Sequence, residues 1–300
     1  MTSVRPTFII AGTLPAGTGH LYGLLAQHPE VFLAPPMQPE CNFFFKTAEY
    51  EKGMGYYEEK WFSAVRDERA IGERSSLLMS GAWVPERVAR HLPEVKLIFL
   101  LRNPVDRAYA NYRFTALAGY EEMSFEEALA NEGSRMAEAR ARSLFWGEIQ
   151  PHAYFHRGLY FDQLSAWLTR FPREQMLLMR SDELLQDQNT ALRKVYAFLG
   201  VEAGFVAADF QDMSSPAVRD VRLQAKLRAE HPADFDQSVQ RLREGLPPAT
   251  PFDHLLRANV MEGYEKLSPD LRRELTARYA DQNRRLADLV PFSIADWLEN

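Results

Sequence analysis

Apolar positions along this 300-residue chain fall into two patterns, short unbroken runs and stretches of helical period. Phe8-Ile9-Ile10-Ala11-Gly12 reads as a buried strand, followed by a loop over 13–19 and a helix over about 20–28. Val31-Phe32-Leu33 predicts a second strand, and a Pro-rich stretch over 34–39 follows it. Residues 54–66 place Tyr56, Tyr57, Trp61 and Phe62 on one helical face. Ala70-Ile71-Gly72-Glu73 predicts a third strand ending at Arg74-Ser75-Ser76, and Pro85 opens a helix to His91. The run over 95–101 is the clearest buried strand; it ends at Arg102-Asn103-Pro104, with a helix from Val105 to about Thr115. Ser124 with Glu127 three residues on makes a capping box. Downstream the pattern predicts a helix over 158–170, a strand over 175–180, and a helix over 189–199 closed by Gly200. From 212 to 260 the chain reads as polar and irregular, broken by Pro247-Pro248 and Pro251, and a final pair of helical stretches covers about 269–290. Strands alternating with helices predict an α/β fold with a doubly wound parallel sheet. No repeat or linker divides the chain, so the expectation is one domain over 1–300.

Composition narrows the classes. A hydrophobic content of 46% with 25% charged residues is that of an ordinary globular protein. A net charge of −6 argues against a general polyanion binder, so nucleic acid is not an expected partner. Cys41 is the one cysteine, which excludes an intramolecular disulfide and any multi-Cys metal site. No apolar run approaches the ~20 residues of a membrane helix, and the chain enters a strand almost at once, so no signal peptide is expected. A cytoplasmic protein with no membrane partner is the expectation. No histidine spacing suggests a metal site.

The first strand runs into Thr13-Leu14-Pro15-Ala16-Gly17-Thr18-Gly19-His20. A strand, a Gly/Thr-rich turn and a helix N-terminus form an anion cradle, because free N–H groups and the helix dipole both favour negative charge. Such loops carry a Lys or Arg two residues before the Gly-Thr as a point charge; Pro15 stands there.

Four segments together resemble the sulfotransferases that use 3′-phosphoadenosine 5′-phosphosulfate (PAPS), with the bacterial and heparan-type members as the nearest branch. They are the loop from Gly12 to Tyr22 with Leu25-Ala26-Gln27-His28-Pro29; the run Leu101-Arg102-Asn103-Pro104-Val105-Asp106-Arg107-Ala108-Tyr109-Ala110-Asn111-Tyr112; Arg157-Gly158-Leu159-Tyr160 with Gln163-Leu164 and Trp167; and Asp182-Glu183-Leu184-Leu185 with Phe198-Leu199-Gly200-Val201. The resemblance covers nearly the whole chain and is weakest over 203–262, where relatives close over the site. It implies a P-loop-type three-layer fold whose central parallel sheet is flanked by helices. It also implies PAPS as cofactor, held by Gly12, Ala16, Gly17, Thr18, Gly19, Arg102 and Tyr160. Arg102 leaves the C-terminal end of a central strand, where open α/β sheets bind ligands, and a guanidinium there can grip a phosphate bidentately. Arg107 reads as structural.

Glu40, in Pro39-Glu40-Cys41-Asn42-Phe43-Phe44, stands where heparan-type relatives carry a catalytic Glu. It and His20 are the two candidates for the base that deprotonates an acceptor. A helix N-terminus disfavours positive charge, which suits His20 better as a base than as a replacement cation. Three positions depart from the family pattern: Pro15 and Pro39 replace cations, and Ala110 replaces a phosphate-binding Ser. The expected activity is sulfuryl transfer from PAPS to a hydroxyl or amine of a small-molecule acceptor. The alternatives are the same fold turned to PAPS-independent chemistry in a biosynthetic pathway (condensation, cyclisation or elimination), and a catalytically dead binding homologue. Arg219, Arg222, Lys226 and Arg228 read as a solvated helix face or a replacement source of charge. Oligomeric state is left open, a homodimer included.

Overall fold

The computed structural model describes residues 4–210, 216–261 and 266–299. Five strands, β1 (Phe8–Gly12), β2 (Val31–Leu33), β3 (Ala70–Arg74), β4 (Lys96–Leu101) and β5 (Met176–Arg180), form one sheet in the order β2-β3-β1-β4-β5. All four pairings are parallel. The near-continuous apolar runs belong to strands covered on both faces, as parallel sheets require. On one face Phe8, Ile10, Ile98 and Leu100 pack against α1 (Thr18–Leu25) and the helix Gln188–Leu199. On the other, Phe99 meets Trp167 of the helix Tyr160–Leu168 with ring centroids 5.4 Å apart, and Glu73 faces Tyr57 of the helix Gly53–Phe62. The three layers are those expected.

Two compact units make up the chain: 1–103 with 159–212 and 280–298, and 104–158 with 213–279 and 299–300. The first contains the sheet. The second is built from helices, beginning with Pro104–Leu117 directly after β4 and Arg102-Asn103. Within it Ser124 closes the expected capping box, with its hydroxyl accepting the Glu127 N–H and the Glu127 carboxylate accepting its own.

The stretch from 212 to 260 is not irregular where it is described; 211–215 lies outside the described residues. It forms the helices Val221–Glu230, Pro232–Arg243 and Pro251–Ala258. Pro232 and Pro251 open helices instead of breaking them, since a first-turn residue has no N–H partner to lose. Leu227, Phe235 and Leu256 form a small core among these helices. The expected final pair of helices is one continuous helix, Pro269–Ala287. Among the described residues no helix is long and apolar enough to cross a membrane, and no His/Cys/Asp/Glu cluster could hold a metal ion.

Candidate active site

The candidate cofactor loop lies at the C-terminal edge of the sheet, held by its strands. Thr13 N–H donates to the Leu100 carbonyl of β4 at 3.0 Å, which brings the loop beside the strand end that carries Arg102. Gly12 must be small: a Cβ there would stand 2.7 Å from the Cβ of Met79 and 3.5 Å from the Ser76 carbonyl oxygen. Gly17 is the N-cap of α1 at φ +81°, a left-handed conformation glycine adopts without strain. It offers no side chain to cap the helix, so the first-turn N–H groups of Thr18, Gly19 and His20 remain for another acceptor. Ala16 and Thr18 are buried beneath this turn. Gly12, Ala16, Gly17, Thr18 and Gly19 thus lie on the turn that joins β1 to α1.

Arg102 is half-buried, and within the first unit, among the described residues, its guanidinium has no ion pair or hydrogen bond. Its carbonyl accepts the Tyr160 hydroxyl at 2.9 Å, so Tyr160, itself buried, fixes the backbone from which Arg102 projects. Asp106 is paired with Arg272 in the second unit.

Glu40 is bound on several sides. Its Oε2 accepts the Ser76 N–H at 2.8 Å, both carboxylate oxygens lie 2.8 Å from Ser76 Oγ, and Asn42 Nδ2 reaches Oε2 at 3.4 Å. Arg74 Nη1 lies 3.4 Å from Oε1, and the two side chains are only 6% and 8% exposed, so this is a desolvated ion pair. Arg74 ends β3 opposite Ile10 of β1, donates to the Met37 carbonyl at 2.7 Å and stands 5.9 Å from the Tyr22 ring of α1. Its Nε is buried with no partner. The base candidate and a cation thus sit together beside the loop. His20 lies in the first turn of α1 with its ring 6.3 Å from that of Phe210.

Sequence reading passed over Arg74 and its neighbour Glu73. The available signal was two charges at the C-terminal end of an otherwise apolar parallel strand, the edge where ligands bind. The Phe43–Phe45 run is core: Phe43 stacks on Tyr57 with centroids 4.5 Å apart, and all three rings are buried.

In the second unit, Asn111 is committed to structure. Its Oδ1 accepts from Arg107 at 3.2 Å and Arg157 at 3.1 Å, and its Nδ2 donates to Thr115. Arg107 also donates to the Tyr154 carbonyl, which ties it to that segment. Burial, and next Arg107, push Arg157 down to about 10. Arg228 is bound to Asp236 at 2.7 Å and lies 4.0 Å over the Tyr120 ring, whereas Arg219, Arg222 and Lys226 are exposed.

The family model described as "Sulfotransferase domain" matches residues 5–238, a span that includes the loop, Glu40, Arg74, Arg102 and Tyr160. The chain belongs to the sulfotransferase family. It is 29% identical over 205 residues to the human bifunctional heparan sulfate N-deacetylase/N-sulfotransferase 2, covering 65% of this chain and 22% of that protein. It is 29% identical over 197 residues to the mouse heparan sulfate glucosamine 3-O-sulfotransferase 3B1, covering 66% and 46%. The chain thus spans less than half the length of those relatives. A solved sulfotransferase from Alicyclobacillus acidocaldarius is 27% identical and superposes with a TM-score of 0.68, over 98% of this chain and 99% of that one.

Proposed function

We propose that this sulfotransferase family member moves a sulfuryl group from PAPS to a hydroxyl or amine of a small-molecule acceptor. The observation that carries the reading is the buried Glu40–Arg74 pair beside a phosphate cradle whose helix has no side-chain cap. The names of the relatives, one an N- and one an O-sulfotransferase, support both kinds of acceptor atom.

The residues present fit the donor. The N–H groups of Thr18 and Gly19, which meet no side-chain cap among the described residues, would hold the 5′-phosphosulfate with the loop Gly12 to Gly17, and Arg102, without a guanidinium partner in the first unit among the described residues, would hold the 3′-phosphate. PAPS, when bound, supplies the sulfuryl group and a phosphate leaving group. Glu40 takes the acceptor proton on a carboxylate oxygen whose direction Ser76 fixes from two donors. Arg74 supplies the positive charge that Pro15 and Pro39 lack, in a desolvated place where one donor is worth roughly several kcal/mol to developing charge. Tyr160 positions Arg102, and His20 is left without a role in the proton transfer.

Labelled-sulfate transfer by Glu40→Gln tests the assignment. Its rate should fall by about 10²–10⁴, the usual worth of a positioned base, with adenosine 3′,5′-bisphosphate binding retained. Unchanged turnover would remove Glu40 as the base. Pro15, Pro39 and Ala110 motivate a second reading, PAPS-independent chemistry on the same fold. Under it the bisphosphate does not bind.

A further inference from the structure

Glu73 lies directly behind the site and takes no part in the chemistry above. It is fully buried on β3, next to Arg74, and faces Tyr57 while Arg74 faces α1. Its Oε2 accepts the Ser75 hydroxyl at 2.6 Å, and its Oε1 is 3.5 Å from the Tyr57 hydroxyl. Ser75 Oγ in turn accepts the Asn42 N–H at 2.7 Å, and Asn42 Nδ2 reaches Glu40. Hydrogen bonds therefore run unbroken from Glu73 through Ser75 to the turn that carries Glu40. Asn42 sits at φ +47°, a conformation a non-glycine residue keeps where its surroundings hold it.

We propose that Glu73 is a positioning residue for sulfuryl transfer: as a neutral hydrogen-bonding group it anchors Ser75, and through Ser75 the 40–42 turn, so that the Glu40 carboxylate keeps its direction. The inference rests on the reading of Glu40 as the base. Neutrality follows from the surroundings. The groups facing Glu73 are Tyr57, Ser75, the buried thiol of Cys41, Glu40 and Arg74. Arg74 is the one cation among them, and its ion pair is with Glu40. Burial, offset in part by the Ser75 hydrogen bond and reinforced by the Glu40 charge, raises the Glu73 carboxyl to about 8. Ionisation would place a second negative charge behind the Glu40–Arg74 pair and weaken it.

Three variants separate this role from mere packing: Glu73→Gln, which copies the neutral acid, Glu73→Ala and Ser75→Ala. Two readouts need no reaction. A raised carboxyl contributes stability that is fully present below its unfolded value and is lost as pH rises through the folded value. The melting temperature of the wild type should therefore fall relative to Glu73→Gln from about pH 4.5 to about pH 8, then run parallel to it. Exchange of the Asn42 amide should quicken in Glu73→Ala and Ser75→Ala. With PAPS and an accepted substrate, Glu73→Ala and Ser75→Ala should lose about 10–100-fold in kcat with the donor KM unchanged, the usual effect of removing an outer hydrogen-bond partner. Glu73→Gln should recover most of that loss and remove the fall in rate above pH 8. Parallel melting curves throughout, or an unchanged Asn42 amide in Ser75→Ala, would overturn the proposal. Should the wild type transfer no sulfuryl group, the reading of the reaction fails, while melting and exchange still decide whether Glu73 holds the turn.

Discussion

Glu40 and Arg74 stand far apart in the chain and 3.4 Å apart in space. That distance is why the pair was only half legible. The sequence marked Glu40 by its resemblance to a family position, but nothing local in Arg74-Ser75-Ser76 told that the Arg turns inward beside Glu40 while Ser76 grips it. Arg74→Met should lower the rate of sulfuryl transfer by about 10²–10³, the loss seen when one donor to developing charge is removed, and Arg74→Lys should keep part of it. Steady-state rates on folded protein, checked by circular dichroism, would show this; a full rate in Arg74→Met would return the missing cation to some other residue. The phosphate role proposed for Arg102 was suggested by the sequence, from its place after a strongly apolar strand. With its guanidinium given to the 3′-phosphate, Arg102→Ala should weaken binding of adenosine 3′,5′-bisphosphate by about 10–100-fold, the worth of a charged hydrogen bond.

At the scale of the element, the cradle is the strand end, the loop and the first turn of α1 acting together. Gly17 is needed for its left-handed backbone. Gly17→Ala should cost about 1–2 kcal/mol of stability, measured by denaturant unfolding, and weaken bisphosphate binding as the first-turn N–H groups turn away. Pro15→Lys restores the usual charge of such a loop and should tighten bisphosphate binding or raise the rate; no gain in a folded variant would contradict the loop's assignment to a phosphosulfate. All five strands were readable, because a strand buried on both faces must be a nearly unbroken apolar run. The helices of 221–258 were not. They are short and polar on their outer faces, and their prolines look like breaks until Thr250 caps Pro251–Ala258 and His231 precedes the helix Pro232–Arg243.

For the whole molecule, pH acts through two buried carboxyls of opposite shift. Hydrogen bonds from Ser238 and the Ala249 N–H lower Asp253 to about 2, so its stabilisation is present above the unfolded value and lost as pH falls through about 2. Glu73 is raised, and its contribution is lost toward pH 8. Asp253→Asn should accordingly lower the melting temperature at pH 7, with the gap closing below about pH 4; a gap independent of pH would contradict the role given to Asp253. The fold was legible because backbone pattern and family motifs agree along most of the chain. The site was less so, since three contacts of the family pattern are absent from the sequence and the buried Arg74 proposed to replace them is seen beside Glu40 only after folding. The central claim is that this altered cradle still holds the donor. Calorimetric titration with adenosine 3′,5′-bisphosphate tests it most directly. Saturable binding is expected, reduced in Arg102→Ala and in Gly17→Ala; no heat of binding at millimolar bisphosphate, from protein shown to be folded, would contradict a cradle for this donor.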